Sequence, residues 1–341
     1  MRVRITQLDG KLPNLALMRL ARWHRSRGDE VVYTRRANRD LLERPYDLVY
    51  GSAIFSSSAP ALARFRRDFP GAIVGGTGTD SAATIEEIVG GPCDIPDYSD
   101  HPEYTASLGF TQRGCRLACK FCGVPAKEGK PRVVNTIAGI WRGAGRPRHI
   151  HLLDNDFFGQ AEVDWRARLA EIRDGDFRVC FNQGINIRLV TPEVARAAAD
   201  ALIVRRSRKI EFLYRDDQFK RPRLYTAWDN LGDERTFFRG VEALDAAGIP
   251  PKHLMAYMLT GFDPAETIDV VEYRFWRMAK IGIKPYPMVY DPKRRDLKDF
   301  QKWAVQGVYR TGIPFREFKS TMKKSVVAAR AARAATSPTF L

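Results

Sequence analysis

Three of the five cysteines in this chain of 341 residues lie close together, as Cys115, Cys119 and Cys122 in a C-x3-C-x2-C run. Thiolates at such spacings converge on a soft metal or a metal–sulfur centre, because a loop backbone can wrap around it. A structural zinc site needs four protein ligands, and His101 and Cys93 lie well upstream without ligand-like spacing. An iron–sulfur cluster with one open iron therefore fits better than zinc completed by a distant ligand.

The run resembles the signature of the radical S-adenosylmethionine (radical SAM) superfamily, C-x3-C-x-aromatic-C, with Phe121 in the aromatic position. The resemblance implies that the three cysteines bind three irons of a 4Fe-4S cluster and that S-adenosylmethionine (SAM) chelates the fourth. It also implies reductive cleavage of SAM to a 5′-deoxyadenosyl radical, with electrons from a flavodoxin- or ferredoxin-type donor. In such a site the cofactor carries the difficult chemistry, and the protein orients it and excludes water.

The composition predicts a globular protein of the cytoplasm with no membrane association. Hydrophobic residues make up 44% of the chain and charged residues 28%, which is typical of soluble globular proteins. No apolar run approaches the roughly 18 residues that a membrane span requires, and residues 1–5 lack a signal-peptide core. An odd number of cysteines, three of them clustered, argues against a secreted disulfide scaffold.

The net charge is +16, from 56 basic and 40 acidic residues. Such an excess favours polyanionic partners or phosphate-bearing substrates. An arginine-rich surface without such a partner would give the same balance, so charge alone leaves both interpretations open. A nucleotide or a nucleic acid is the candidate substrate on this ground.

Residues 1–90 alternate between strand and helix patterns, which predicts a small doubly wound, flavodoxin-like α/β domain with a parallel sheet. This half resembles, more loosely, the cobalamin-binding domain that precedes many radical SAM barrels. The cobalt-ligating pattern Asp-x-His-x-x-Gly is absent after the first strand, and His24 falls in a helix, where we expect it at the surface or in helix packing. We favour a domain without cobalamin. For Gly75 and Gly76, a tight strand-to-helix turn is at least as good an interpretation as a contact with a ligand.

A turn-rich linker is expected over 91–103, where Cys93 is interpreted as an incidental thiol. From 104 to 311 a strand followed by a helix recurs six times. Six such units predict a partial TIM-type (β/α)6 barrel, the fold that the radical SAM superfamily uses. Active groups of such barrels gather at the carboxyl ends of the strands, and the cysteine run follows the first strand. The strands are predicted at 105–111, 149–153, 178–181, 224–227, 254–259 and 283–289.

Polar residues at the ends of the next two strands are candidates for binding SAM. Asp154, Asn155 and Asp156 follow the second strand, where the family places a segment that hydrogen-bonds the methionine amino group. An Asx turn that caps the next helix is the alternative interpretation. Gln183 and Arg188 follow the third strand, and arginine is suited to bidentate binding of a carboxylate.

The later strands offer weaker candidates, because any barrel has polar strand ends. Asp229 ends the fourth strand and is a candidate either to accept a hydrogen bond from a ribose hydroxyl or to hold the substrate. Tyr257 and Gly261 belong to the fifth strand and its end, where a small residue lets the backbone approach an adenine. Residues 312–341 form a basic extension, either a helix that grips phosphates or a solvated tail.

The resemblance covers residues 104–310 and leaves the substrate open. No Ser-His-Asp, phosphate-loop or paired-carboxylate arrangement competes as a separate catalytic centre. We therefore expect a radical SAM oxidoreductase or transferase. A cobalamin-dependent radical SAM methyltransferase and a non-catalytic, zinc-bearing nucleic-acid-binding protein are the two alternatives.

Overall fold

The computed structural model describes residues 1–81, 83–91, 94–117, 119–207 and 209–318. The chain divides into a first compact unit, Met1–Leu108 with Gly123–Gly129, and a second, Gly109–Cys122 with the described residues from Lys130 onward. The predicted linker falls within the first unit. Cys93 and residues 319–341, most of the predicted basic extension, lie outside the described residues.

The first unit contains a parallel sheet of four strands in the order β2-β1-β3-β4, as the alternation of strands and helices predicts. Its strands are β1 Arg2–Gln7, β2 Glu30–Thr34, β3 Leu48–Ser52 and β4 Ile73–Gly75. Its helices are α1 Leu15–Ser26, α2 Ala59–Asp68, α3 Ile85–Val89 and, after the cysteine run, α4 Val124–Glu128.

Helix α1 shows how this unit is built. Its N-cap is Asn14, whose side chain accepts the N–H of Leu17 at 3.2 Å. Leu17 and Leu20 then pack against Val3 and Ile5 of β1 in one buried cluster. The helix also buries His24, which is a packing residue and not a surface one, because Asp29 binds its Nδ1 at 2.7 Å.

The remaining elements follow in chain order. The strands are β5 Ser107–Gly109, β6 Gln112–Arg113, β7 Arg132–Val133, β8 His149–Leu152, β9 Arg178–Phe181, β10 Ile203–Arg206, β11 Lys209–Phe212, β12 Leu224–Ala227, β13 Leu254–Thr260 and β14 Lys284–Val289. The helices are α5 Ile137–Ile140, α6 Glu162–Asp174, α7 Pro192–Leu202, α8 Glu234–Ala246, α9 Ile268–Ala279 and α10 Arg295–Val305. Each of the six predicted barrel strands is present within a few residues of its expected position.

Two three-stranded sheets, β5-β8-β9 and β12-β13-β14, organise these elements, and β8–β9, β12–β13 and β13–β14 pair in parallel. Hydrogen bonds join the end of β9 to β12, since Ile185 N–H donates to the Tyr225 carbonyl at 2.8 Å. The Thr226 hydroxyl returns a bond to the Ile185 carbonyl at 3.0 Å. The fold is thus mixed α/β with parallel sheets, and no closed barrel forms among the described residues.

One large apolar core lies between these sheets and their helices. Strand residues such as Val179, Ala256 and Met258 are fully buried in it. The helices contribute large side chains, among them Trp165, Phe237, Phe275, Phe300 and Trp303. No helix in the described ranges is both long and apolar enough to cross a membrane.

Candidate functional site

The loop that carries the cysteines begins after β6 and is held there by Asp154, which follows β8. The Asp154 carboxylate accepts the N–H groups of Thr111 at 2.7 Å and Gln112 at 3.1 Å, and also the Thr111 hydroxyl. The side chain of Gln112 in turn donates to the carbonyl of Gly114 at 2.7 Å, directly before Cys115. The end of one strand therefore fixes the start of the cysteine loop.

Asp154 is buried, with 3% of its surface exposed. Burial raises its pKa to about 7, although the bonds from Thr111 and Gln112 favour the ionised form. This carboxylate thus supports the loop, and its sequence-predicted contact with SAM stays a prediction. The adjacent Asn155 is half-buried.

The three thiols lie in the loop itself. Cys115 and Cys119 are half-buried, and Cys122 is exposed. The Leu117 N–H donates to Cys115 Sγ at 3.4 Å, and the Cys122 N–H donates to the Cys119 carbonyl at 2.9 Å. Burial raises the pKa of Cys115, and negative charge on Asp156 and the other two cysteines raises it further. A bound metal would have to displace this proton, because thiolate is the ligand form.

The donor set fits an iron–sulfur centre in type and number, since three thiols leave one iron for another ligand. Among the described residues, no three Cys, His, Asp or Glu side chains already converge in a geometry that could hold a metal ion. A structural zinc site would need a fourth ligand as well. The fit therefore rests on donor chemistry, and binding would draw the three sulfurs together.

An arginine inside the run connects the loop to the end of β8. Arg116 Nε donates to Asp156 Oδ2 at 2.9 Å, and its Nη2 donates to the Phe158 carbonyl at 2.8 Å. Asp156 is 1% exposed, and burial raises its pKa while Arg116 and Arg188 act in the opposite direction. Its second oxygen, Oδ1, is buried without a hydrogen-bond partner among the described residues.

Arg188 brings the region after β9 to the same loop. Its Nη1 lies 2.8 Å from Asp233 Oδ2, its Nε 3.1 Å from Asn186 Oδ1, and its Nη2 4.0 Å from Cys119 Sγ. The side-chain nitrogen of Asn186 is buried and bonds to no described residue. A guanidinium beside a cysteine, with unpaired polar atoms nearby, suits a polar, charged ligand.

Asp229 belongs to this group through charge. It accepts the N–H of Leu259 at 3.3 Å, and burial raises its pKa while the charges of Arg274 and Arg188 oppose that rise. Three sequence-predicted residues, Asp156, Arg188 and Asp229, are thus electrostatic neighbours beside the cysteine loop.

The aromatic position of the run packs on the end of β13. Phe121 meets Phe262 edge-on with ring centroids 5.5 Å apart, and Phe262 meets Tyr290 in the same way at 4.9 Å. Gly261 has φ +74° and donates its N–H to Glu266 at 2.7 Å, and a Cβ there would lie 2.6 Å from Leu297. The positive φ of this turn and the close contact with Leu297 explain why residue 261 is a glycine.

The structure does not bring the other two predicted residues to the loop through any described contact. Gln183 is exposed after β9. Tyr257 lies within β13 and stacks on Tyr225 of the neighbouring strand. Sequence reasoning missed Thr111, Gln112 and Asp233, whose partners are distant in the chain. The sequence offered one signal for these contacts, namely Arg116, a cation that lies between the candidate metal ligands Cys115 and Cys119.

At the carboxyl ends of the strands in the first unit, backbone groups are bonded or packed by residues of the same unit. The Asp9 carboxylate accepts the N–H groups of Ile54 at 2.8 Å and Phe55 at 2.9 Å. Gly76 has φ +104°, and a Cβ there would lie 2.2 Å from the Ala53 carbonyl oxygen. The glycine turn is therefore required by backbone packing within the unit.

No family model matches this chain, and no curated protein matches it significantly.

Proposed function

We propose that this chain is a radical SAM enzyme that holds a 4Fe-4S cluster on Cys115, Cys119 and Cys122. The observation that carries the proposal is the C-x3-C-x-Phe-C run in a loop held by the end of a parallel strand. When bound, the cluster would supply the electron that cleaves SAM to a 5′-deoxyadenosyl radical. An electron donor of the flavodoxin or ferredoxin type would reduce it, and a reducing compartment such as the cytoplasm would keep the thiols free.

We propose further that the elements from β5 onward form a partial (β/α)6 barrel. The parallel pairs β8–β9, β12–β13 and β13–β14, with hydrogen bonds that join the end of β9 to β12, support this arrangement. In such a barrel the strand carboxyl ends carry the active groups. Asp156, Arg188 and Asp229 follow the carboxyl ends of β8, β9 and β12, which supports a role for them in ligand binding.

The charged groups around the loop have complementary roles in binding SAM. Arg188 would bind the carboxylate of the methionine part, because its fork of donors matches two carboxylate oxygens. The free oxygen of Asp156 would accept from the ammonium group, and burial makes that hydrogen bond stronger than it would be in water. These residues orient SAM and exclude water, and they do not take part in electron transfer.

Anaerobic reconstitution of the full chain with iron and sulfide tests the proposal. We expect about four irons and four sulfides per chain, and formation of 5′-deoxyadenosine when SAM and dithionite are added. Cys119→Ser should lose both, whereas Cys93→Ser, which removes a cysteine outside the run, should keep both. Zinc without iron or sulfide would overturn the proposal in favour of the zinc-bearing nucleic-acid-binding alternative.

We propose further that the first unit works without cobalamin. The support is the edge at which Asp9 and the glycine turn already occupy the backbone groups. Titration with cobalamin should leave the absorption spectrum of the corrinoid unchanged. Binding with a spectral shift would support the cobalamin-dependent methyltransferase instead. A nucleotide or nucleic acid remains the proposed substrate class.

A further inference from the structure

Three tyrosines on neighbouring strands share one face of the β12-β13-β14 sheet. They are Tyr225, Tyr257 and Tyr286, and Tyr257 is the direct register partner of Tyr286. The rings of Tyr225 and Tyr257 stack with centroids 5.9 Å apart and planes 13° apart, and Tyr257 meets Tyr286 edge-on at 5.8 Å. We call this set the tyrosine face.

The tyrosine face lies opposite the apolar core. Alternate residues of the same strands point into that core, namely Leu224, Ala256 and Met258. Tyr257 and Tyr286 are only half-buried, and Lys284 and Met288 on the same side of β14 are exposed. Tyr225 is buried, whereas the described residues leave Tyr257 and Tyr286 partly open.

Cations stand at the start of the same strands. Lys284 is the first residue of β14, and Arg223 directly precedes β12 and donates to the Leu254 carbonyl at 3.0 Å. Both share the alternation of the tyrosines, since they lie two positions before Tyr286 and Tyr225. Burial lowers the pKa of Lys284, and the positive charges of Arg223, Arg310 and Arg221 lower it further.

Acidic residues offset this charge only in part. The Asp216 carboxylate raises the pKa of Arg223 and the Asp217 carboxylate raises that of Lys284, but burial and neighbouring cations keep both pKa values lowered. The Asp217 backbone N–H donates to the Tyr225 hydroxyl at 3.3 Å, which fixes the loop beside the tyrosine face. Crowded like charges at a partly desolvated position are unfavourable, and an anionic ligand relieves that repulsion.

Two residues along a strand span about 7 Å, so the cations lie roughly that far from the rings along the strands. We infer that the tyrosine face binds a nucleoside phosphate, with its base on Tyr257 and Tyr286 and its phosphate near Arg223 and Lys284. A nucleoside phosphate carries ring, sugar and phosphate in that order, which matches the order of groups on the sheet. As an assignment of the enzyme's substrate, the inference rests on the proposed function.

Calorimetric titration of the full chain, without reductant or SAM, tests the binding. Each of the four common nucleoside 5′-monophosphates is compared with its nucleoside and with ribose 5-phosphate. We expect at least one monophosphate to bind about ten times more tightly than either fragment, because stacking and charge pairing act together. Equal binding of a fragment, or no binding of any monophosphate at millimolar concentration, would overturn the inference.

Matched variants assign the binding to this face. Tyr257→Ala should weaken binding about 5- to 150-fold through lost stacking, and Tyr257→Phe should restore most of it. Lys284→Gln, at an exposed position that can be changed without loss of the fold, should weaken binding about tenfold. Tyr273→Ala and Lys298→Gln, on exposed positions of α9 and α10, serve as controls and should change nothing. Unchanged affinity in Lys284→Gln would contradict the assignment.

The same titrations distinguish a free nucleotide from one within a nucleic acid. A short single-stranded oligonucleotide that binds more tightly than the monophosphate, with the same sensitivity to Tyr257→Ala, identifies a nucleic acid as the source of the ligand. Tighter binding of the monophosphate identifies a free nucleotide. Because these measurements need neither cluster nor SAM, their failure leaves 5′-deoxyadenosine formation untouched, and the reverse also holds.

Discussion

Both units of this protein carry a parallel sheet, and the carboxyl edges of their strands are used differently. In the first unit that edge is satisfied internally, because Asp9 accepts the free N–H groups of Ile54 and Phe55, and Gln7 donates to the Leu12 carbonyl at 2.8 Å. In the second unit the strand ends present thiols, Arg188 and Asp156, and some buried polar atoms there bond to no described residue.

The difference shows that the same parallel-sheet architecture can have a structural edge in one unit and an edge suited to a ligand in the other. Open α/β sheets bind ligands outside the carboxyl ends of their strands, yet the fold alone does not decide whether they do. An edge whose polar groups pair with each other is structural. An edge with charges held in place but incompletely paired has capacity left for a ligand. The predictions below test this contrast in order of decreasing effect.

The largest effect is expected from Arg274, which clamps the ends of β12 and β13. This fully buried residue donates to the carbonyls of Trp228 and Leu259 and pairs with Glu266 at 2.6 Å. Arg274→Ala should lower the free energy of unfolding by about 3–5 kcal/mol, because the Glu266 carboxylate loses its cation and two carbonyls lose this donor. Urea unfolding measures this loss.

Arg277 on the same helix is the matched control for Arg274. Its contact with Glu234 is solvent-exposed, so its replacement by alanine should leave stability nearly unchanged. A similar loss in both variants would mean that the strand ends of the second unit are not held by Arg274.

The next effect concerns the pH dependence that Asp154 imposes on the cysteine loop. Burial raises its pKa to about 7, above the ordinary value near 3.9, so the folded state retains a proton that the unfolded state loses. The stability of the wild type relative to Asp154→Asn should be greatest below pH 4 and should fall as the pH rises through 7. The fall is at most about 4 kcal/mol. Unfolding curves at pH 4 to 8 measure it, and a constant difference would contradict it.

A smaller effect, on ligand binding, is expected at Arg188. If this residue binds the SAM carboxylate, Arg188→Ala should weaken SAM binding to the reconstituted protein about 10- to 100-fold, and Arg188→Lys should weaken it less. Equilibrium dialysis with labelled SAM gives the affinity. Arg196→Ala, on the exposed side of α7, is the control. Equal affinity for SAM in Arg188→Ala and the wild type would contradict the proposal that Arg188 binds the SAM carboxylate.

The smallest effect is expected at Asp9 in the first unit. Asp9→Ala removes two hydrogen bonds to backbone N–H groups, so the free energy of unfolding should fall by about 1–2 kcal/mol. Iron content and 5′-deoxyadenosine formation should stay at wild-type levels, because this edge is structural. A loss of iron in this variant would contradict the claim that the edge of the first unit is only structural.

Much of the fold could be predicted from local patterns. The strands β5, β8, β9, β12, β13 and β14 were predicted because buried apolar runs and the periodicity of the helices between them are local signals. The antiparallel pair β10–β11 was missed, since Arg205, Arg206 and Lys209 in it are charged and resemble a loop. The two-residue pair β6–β7 is too short to produce any periodicity.

The site was predictable only where its residues are neighbours in sequence. The cysteine run and its aromatic are such a case. The hydrogen bonds that anchor the loop were not predictable, because Thr111 and Asp154 are 43 positions apart. Neither segment contains a pattern that indicates the other as its partner. Arg188 was predicted from its chemistry, but its partner Asp233 is 45 positions away and was not predicted.

That separation along the chain has a consequence during synthesis. Ribosomes add about 5–20 residues each second, so Thr111 emerges about 2 to 9 s before the carboxylate that will hold it, 43 positions later. If the proposed cluster is bound, iron that reaches the nascent polypeptide in that interval would meet a loop that Asp154 does not yet hold. Iron that arrives after Asp154 has been synthesised would meet a loop whose start is already held, although its sulfurs would still have to draw together.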